Sequence, residues 1–212
     1  MRDAVVVANA PWRWRPDFVA LIRRAWLVLA ADGGANHLAR IGVYPDAVVG
    51  DLDSIRPGVR RWIGEERMIA RTDQDFTDLH KTLAYAFDER RAQRVTVLAA
   101  TAGRLDHAAE NLALLGHWIV RGEVEIRDEQ HRIVAVAGAR RFRTTAGQAV
   151  SLMPLGRCAR VWTSGLRWRL DGESLDFADR TGVSNVAVGS RIGVRVDGGV
   201  LLVFLSEPVP EG

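Results

Sequence analysis

Carboxylates crowd three short stretches of this chain: Gly50-Asp51-Leu52-Asp53-Ser54, Asp73-Gln74-Asp75-Phe76-Thr77-Asp78 and Gly103-Arg104-Leu105-Asp106-His107. Each follows a short apolar run or stands where a helix should begin. Carboxylates packed this densely repel one another, and a proton or a cation relieves the repulsion. Hard divalent cations such as magnesium choose oxygen ligands. Yet the chain is basic overall, with 29 Lys and Arg against 26 Asp and Glu and a formal net charge of +3. Acidic loops on a basic chain point to a metal ion that holds a polyphosphate, not to an acidic solubilising surface.

The apolar runs set the architecture around those loops. Residues 4–8, 26–31, 46–50, 67–70 and 95–100 read as strands, most of them buried on both faces. Between them, 16–25 reads as a helix with Pro16 in its first turn, and 36–41 as a short helix stopped by Gly42. Residues 77–91 and 106–120 are the longer helices; Leu79, Leu83 and Phe87 repeat every four residues along the first of these. Val124 and Ile126 alternate with polar residues, as in a half-exposed strand. Strand alternating with helix predicts a mostly parallel sheet covered on both faces.

After about residue 130 the helical period disappears. Short strands at 133–136, 149–153, 160–163, 165–170, 190–196 and 200–205 alternate with Gly and Asp turns, and Asp197-Gly198-Gly199 reads as a tight turn joining the last two. The expectation is an α/β domain over 1–136 followed by an all-β sandwich over 137–212, the second small enough to lean on the first or on a partner subunit. Only the tail from Glu207 is expected to be disordered.

Several function classes are set aside by composition. No apolar stretch is long enough to span a bilayer, and the opening residues fit a first strand better than a signal peptide, so no membrane partner is expected. The single cysteine, Cys158, forms no intrachain disulfide, which suits a reducing cytoplasm. Seven tryptophans scatter along the chain without a basic stripe, so no nucleic-acid partner is expected. Neither a Gly-x-x-x-x-Gly-Lys loop nor a serine-hydrolase elbow is present. Lys81 is the only lysine among the 29 basic residues. Arginine bias accounts for the others; a lone ammonium just past the second acidic cluster suits phosphate oxygens.

Ligands of open α/β sheets bind beyond the carboxyl ends of the strands, where these candidates fall. Asp32-Gly33-Gly34-Ala35-Asn36 reads either as a turn with a helix cap or as a glycine-opened approach to a nucleotide. Asp51 and Asp53 would point the same way if the strand continued, a metal-binding pair; the bland alternative is a turn. Asp75 fits a helix N-cap with Asp78 three residues on, and Asp106 could cap the next helix. Arg104, in a glycine-containing loop after Thr101, is a phosphate fork. His107 and His117 lack partners at metal-ligand spacing.

Taken in order, these segments resemble the thiamine pyrophosphokinase family. The resemblance rests on Ala31-Asp32-Gly33-Gly34-Ala35-Asn36, on Pro45-Asp46 through Ile55, on Asp73 to Asp78 with Lys81, on Thr101 to His107, and on Gly182-Val183-Ser184-Asn185. It implies an α/β domain followed by a β-sandwich that binds thiamine and forms a homodimer, with active sites in clefts between subunits. It implies magnesium-dependent transfer of the terminal pyrophosphate of ATP to the thiamine hydroxyl, with release of AMP. By the same resemblance Asp51, Asp53, Asp78 and Asp106 form the catalytic group, the first three as metal ligands. Asp32, Gly33, Asn36, Lys81, Thr101 and Arg104 would serve the nucleotide, Gln74 would touch substrate, and Ser184 and Asn185 would hold the pyrimidine. Two departures stand out: Ala102 where the family often has glycine, and Val188 where animal members carry a stacking aromatic. Trp162 and Trp168 are the substitutes available, although filling the β-domain core is the commoner use of such residues. The rival readings are a pyrophosphokinase acting on a hydroxymethyl-pterin and a catalytically silent nucleotide sensor.

Overall fold

The computed structural model describes residues 2–207, so the expected disordered tail lies, from residue 208 onward, outside the described residues. The chain divides into two compact units, one made of the residues up to Leu114 with Val120–Glu129, the other of Leu115–Ile119 with the residues from Gln130.

The first unit is built on strands whose side chains are apolar on both faces. β1 (Asp3–Val7), β2 (Leu27–Ala31), β3 (Ala47–Gly50) and β5 (Arg94–Leu98) are almost wholly buried, as a parallel sheet covered by helices requires. With β4 (Met68–Ala70) and β6 (Glu123–Arg127) they run in the order β6-β5-β1-β2-β3-β4, every pair parallel. The chain moves outward one way from β1 to β4 and then returns to the other side of β1 for β5. That reversal opens a crevice at the carboxyl ends of β1 and β5.

The helices follow their sequence signals closely. α1 (Pro16–Arg24) begins on Pro16 and buries Phe18 and Ile22 against Val5, Val28 and Leu98. α2 is Gly34–Arg40 and α5 is Leu105–Trp118. α4 (Asp78–Ala84) passes into one π-helical turn, Tyr85–Glu89. One helix, α3 (Pro57–Ile63), escaped the sequence reading; Pro57 opens it and Gly64 ends it.

In the second unit six antiparallel strands enclose a core of Val134, Leu152, Cys158, Val161, Leu175 and Val203. They are β7 (His131–Arg143), β8 (Ala149–Leu155), β9 (Arg157–Ser164), β10 (Asp171–Asp176), β11 (Gly182–Val186) and β12 (Arg191–Ser206). Burying a side chain such as Leu152 contributes about 1.5–3 kcal/mol. Cys158 is fully buried and unpaired, and burial pushes its thiol up, as befits a packing residue. The expected division at 136/137 falls inside β7.

Two strand expectations are corrected here. Residues 190–196 and 200–205 are not two arms of a hairpin. They form the single strand β12, which pairs with β7 throughout while exchanging β9 for β8 as its other neighbour. Asp197-Gly198-Gly199 is the bulge at that exchange, where Val196 opposes Gly138 but Leu201 opposes Val136. Gly198 and Gly199 take positive φ, and a Cβ on Gly199 would strike the Arg157 carbonyl. Residues 165–170 are a loop, not a strand. Thr163 and Leu170 close it by hydrogen bonds, Leu166 and Leu170 are buried, and Trp168 faces out. The extended strand there is β10, which starts one residue later.

Candidate active site

The carboxyl ends of β1, β2, β3 and β5 surround one cavity of about 770 Å³. Its geometry begins with the two glycines after β2. A Cβ on Gly34 would collide with the Val7 carbonyl, and one on Gly33 with the Asn9 side chain, so the pair lets the start of α2 press against the end of β1. Asp32, just before them, has φ +40, and its N–H donates to the Val49 carbonyl at 2.9 Å. That ties the ends of β2 and β3 together.

Asp32, Asp51 and Asp78 meet there, each with a carboxylate oxygen within 4.8 Å of the others. Gly50 makes the approach possible, since a Cβ on it would lie 2.9 Å from both Asp32 Cβ and Asp78 Cγ. Asp32 is 3% exposed; its Oδ2 accepts from the Ser54 N–H at 3.2 Å, while Oδ1 has no partner. Burial, and then the charge of Asp78, pushes the Asp32 carboxyl up. Burial and the charge of Asp51 likewise push Asp78 up, against the pull of Lys81. Lys81 Nζ lies 3.4 Å from Asp78 Oδ1, with its side chain 8% exposed, so the lone lysine faces the cavity from one turn into α4. The donor set is all oxygen, as a hard divalent cation requires. The orphaned Oδ1 of Asp32 is a free oxygen donor beside two further carboxylates, so these residues fit magnesium.

The other expected residues are placed differently. Asp51 and Asp53 do not form an aligned pair, because Leu52 turns to φ +68 and ends the extended course. Asp53 instead accepts from the Ser54 hydroxyl at 2.9 Å and stands outside the three-carboxylate group. Asn36 spends its amide on the same loop, donating to the Ser54 carbonyl at 2.9 Å and accepting from the Arg56 N–H at 3.0 Å. Asp75 lines the cavity but caps no helix. Thr77 is the N-cap of α4, and its hydroxyl also donates to Glu110 at 3.0 Å. Gln74 lines the cavity.

In the loop after β5, Thr101 donates to Asp128 at 3.0 Å. Arg104 lines the cavity, 70% exposed at the side chain, and forks onto Asp106 at 3.2 and 2.5 Å. The guanidinium holds the Asp106 carboxyl down to about 2. Asp106 lies in the first turn of α5 rather than capping it, and does not join the acidic group. The positive φ values in this loop fall on Ala99 and Gly103, so Ala102 itself introduces no strain. His107 lines the cavity; no metal-type group among the described residues includes a histidine. Asn9, Glu110 and Asn111 also line it and were missed. Only the position of Asn9, directly behind a buried strand, could have signalled any of them.

In the second unit Asn185 is buried, and its side chain grips the 165–170 loop. Its Oδ1 accepts from the N–H of Trp168 at 3.1 Å and of Val186 at 2.9 Å, and its Nδ2 donates to the Trp168 carbonyl at 2.6 Å. Trp168 is 56% exposed, so it is not core. Ser184 beside it is exposed, at φ +61. Trp162 lies under the guanidinium groups of Arg195 and Arg160, 4.3 and 5.6 Å from the ring centroid.

The family model "Thiamin pyrophosphokinase, catalytic domain" matches residues 18–127, and "Thiamin pyrophosphokinase, vitamin B1 binding domain" matches residues 130–201. Thiamine pyrophosphokinase 1 of Oryza sativa subsp. japonica is 30% identical over 92% of this chain and 83% of its own. Thiamine pyrophosphokinase 1 of Arabidopsis thaliana is 29% identical over 94% and 85%. Among solved structures, the thiamine pyrophosphokinase of Bacillus subtilis matches with a TM-score of 0.84 at 23% identity, covering 96% of this chain and 98% of that one. The Candida albicans thiamin pyrophosphokinase gives 0.82 at 16% identity over 97% and 90%. The structural matches show the fold: a parallel α/β unit followed by a β-sandwich.

Proposed function

The chain belongs to the thiamin pyrophosphokinase family, and we propose that it transfers the terminal pyrophosphate of ATP to the hydroxyl of thiamine, giving thiamine diphosphate and AMP. The observation that carries this reading is the cavity at the carboxyl edge of the parallel sheet, where three carboxylates and the only lysine converge.

The hydroxyl oxygen of thiamine attacks the β-phosphorus and gives up its proton to solvent, the bond from that phosphorus to the α-phosphate oxygen breaks, and AMP departs. Such transfers proceed through loose transition states in which charge spreads over oxygens, so catalysis is positioning and electrostatics. The converging carboxylates would hold magnesium, which would supply positive charge against that of the phosphate oxygens. Lys81 places an ammonium in the cavity, and Arg104 brings a guanidinium to its rim from a pairing with Asp106. Asp53 and Asp106 belong with Asp51 and Asp78 in the catalytic group in this reading; Asp106 acts by orienting Arg104. Asn36 holds the Asp51–Ser54 loop in place. The acidic cavity also attracts the cationic thiazolium ring.

The thiamine pyrimidine is received by Trp168, Ser184 and Asn185 of a second copy, which makes the enzyme a homodimer with shared active sites. The support is an outward-facing indole whose backbone is clamped by Asn185. The cytoplasm is the proposed location, with the free Cys158 as support. No helix among the described residues is long and apolar enough to cross a membrane.

The test is AMP formation from ATP, with and without thiamine and magnesium. Release that needs both is expected. Release with hydroxymethyl-dihydropterin but not thiamine would move the enzyme to a pterin acceptor, and ATP binding without AMP under any acceptor would make the chain a nucleotide sensor. For the shared site, an Asp51→Asn chain is mixed with a Trp168→Ala chain and assayed at thiamine well below KM, where the Trp168→Ala chain alone is about tenfold slow. Random pairing should then give about a quarter of the wild-type rate, because half the dimers carry one intact site of two; a rate no higher than that of the unmixed Trp168→Ala chain argues against sharing.

A further inference from the structure

We propose that Phe76 is the surface on which the thiazolium ring of thiamine lies during transfer, which makes it a specificity residue for a cationic acceptor. The proposal deepens the pyrophosphokinase reading and rests on it.

Of the described residues that line the cavity, Phe76 alone carries a benzene ring. It is 49% exposed, so about half of its surface is open to a bound molecule. Helix packing does not account for it. Phe76 directly precedes Thr77, the N-cap of α4. An apolar residue in that position commonly packs on the fourth helical residue. Here that residue is Lys81, whose ammonium lies 3.4 Å from Asp78 Oδ1 instead. Phe76 leans on His80, with ring centroids 4.5 Å apart and planes tilted by 39°. The backbone on either side is held as well. The Asp75 N–H donates to Asp73 Oδ1 at 2.8 Å, and the Thr77 hydroxyl accepts from the His80 N–H. The ring is braced from behind and still offers apolar surface to the cavity.

The two substrates bring different flat rings, and chemistry separates them. The hydroxyl of thiamine hangs from the thiazolium on a short ethyl arm. Ribose and the α-phosphate stand between adenine and the β-phosphorus. Phe76 is two residues from Asp78, whose carboxylate meets Lys81 and the other acidic groups of the site. A ring packed beside those groups is therefore the acceptor's and not the nucleobase. Charge agrees with this. The carboxylates of the cavity outnumber its cations, Lys81 and Arg104, and Asp75 next to Phe76 is among them. A cation over a benzene face is attracted by the ring quadrupole, whereas adenine is neutral. With Trp168 proposed for the pyrimidine, Phe76 gives the second ring of thiamine a partner of its own.

The experiment uses the full-length chain, with Phe76→Ala and Phe76→Leu. AMP release gives kcat and KM for thiamine and for ATP. Calorimetry gives the affinity for thiamine and for its neutral isostere, in which carbon replaces the charged ring nitrogen. Phe76→Ala is expected to raise KM for thiamine about tenfold and to keep KM for ATP within about twofold, the pattern of a lost acceptor contact. Phe76→Leu keeps apolar bulk but has no π face. It is expected to cut the preference for thiamine over the neutral isostere at least about threefold. A rise in KM for ATP alone would give the ring to the nucleobase and overturn the proposal. Unchanged constants for both substrates, or a wild-type preference kept in Phe76→Leu, would overturn it too. Should Phe76→Ala not fold, the Phe76→Leu preference decides by itself. A wild type that binds thiamine with the expected variant pattern but releases no AMP removes the transfer reading alone. Thiamine-dependent AMP release with affinities indifferent to Phe76 removes the Phe76 assignment alone, and a wild type that neither binds thiamine nor releases AMP removes both.

Discussion

Asp32 in the first unit and Asn185 in the second are both buried polar residues, and they are treated in opposite ways. Asp32 keeps an oxygen without a donor and sits among like charges. Asn185 spends its amide on its own fold, accepting two backbone N–H groups and donating to a carbonyl. Binding phosphate through a cation requires charge imbalance stored in advance, because protein dipoles that are already in place need no reorganisation when the ligand arrives. Receiving a flat ring requires only a well-held apolar face, and the Asn185 amide bonds the Trp168 backbone at both its N–H and its carbonyl. In the proposed reading the first unit holds like charges together for chemistry, whereas the second spends its polar groups on order.

The hardest test of that contrast is Asp78→Asn. Turnover should fall about a hundredfold or more, comparable to losing one preorganised charge-stabilising group, while the melting temperature of the metal-free chain holds or rises because a repelling charge is gone. Near-normal kcat in a folded variant would break the comparison. Trp168→Ala should do the reverse, raising KM for thiamine about tenfold with little change in kcat, in line with 1–2 kcal/mol of lost stacking. If kcat fell instead, the ring would be acting on the reaction and not on recognition.

Asn185→Ala sharpens the same point through stability. It leaves the Trp168 backbone without its clamp, so urea unfolding should show a loss of about 1 kcal/mol, where metal-free Asp32→Asn shows none or a gain. The smallest effect concerns His37 on α2, whose Nε2 donates to the Ala10 carbonyl at 3.0 Å beside the cavity-lining Asn9 and Pro11. Burial holds His37 below its usual 6.5. The folded chain therefore takes up that proton less readily than the unfolded chain, and the stability it contributes is complete above 6.5 and lost as pH falls through the folded value. His37→Gln, which can still donate to Ala10, should flatten the decline in melting temperature between about pH 7.5 and about pH 5.5. A decline identical to wild type would remove His37 from the account.

The first unit was readable because buried parallel strands announce themselves as unbroken apolar runs, and the loops after them carried Asp32 and Asp51, with Lys81 in the helix behind the next acidic loop, in plain view. The second unit was readable only as to class. Asp197-Gly198-Gly199 has the composition of a hairpin turn and of a bulge alike, and only the partners of β12 distinguish the two. Leu166, Trp168 and Leu170 alternate as a strand would, yet Gly165 at φ +74 bends the chain into a loop. α3 went unseen because seven residues containing Pro57 and Gly58 give too short a helical period to register.

The amino-acid order alone determined where acidic loops would fall: after strands and at helix starts, since apolar periodicity and glycine placement are local properties. Which carboxylates would touch was decided by the sheet. Pairing β2 beside β3 brings Asp32 to Asp51, residues nineteen apart in the chain, while a left-handed turn at Leu52 separates Asp53 from its neighbour two places away. Spacing along the chain fixes only which side chains could share a face; long-range strand register and a single backbone angle fix which ones do.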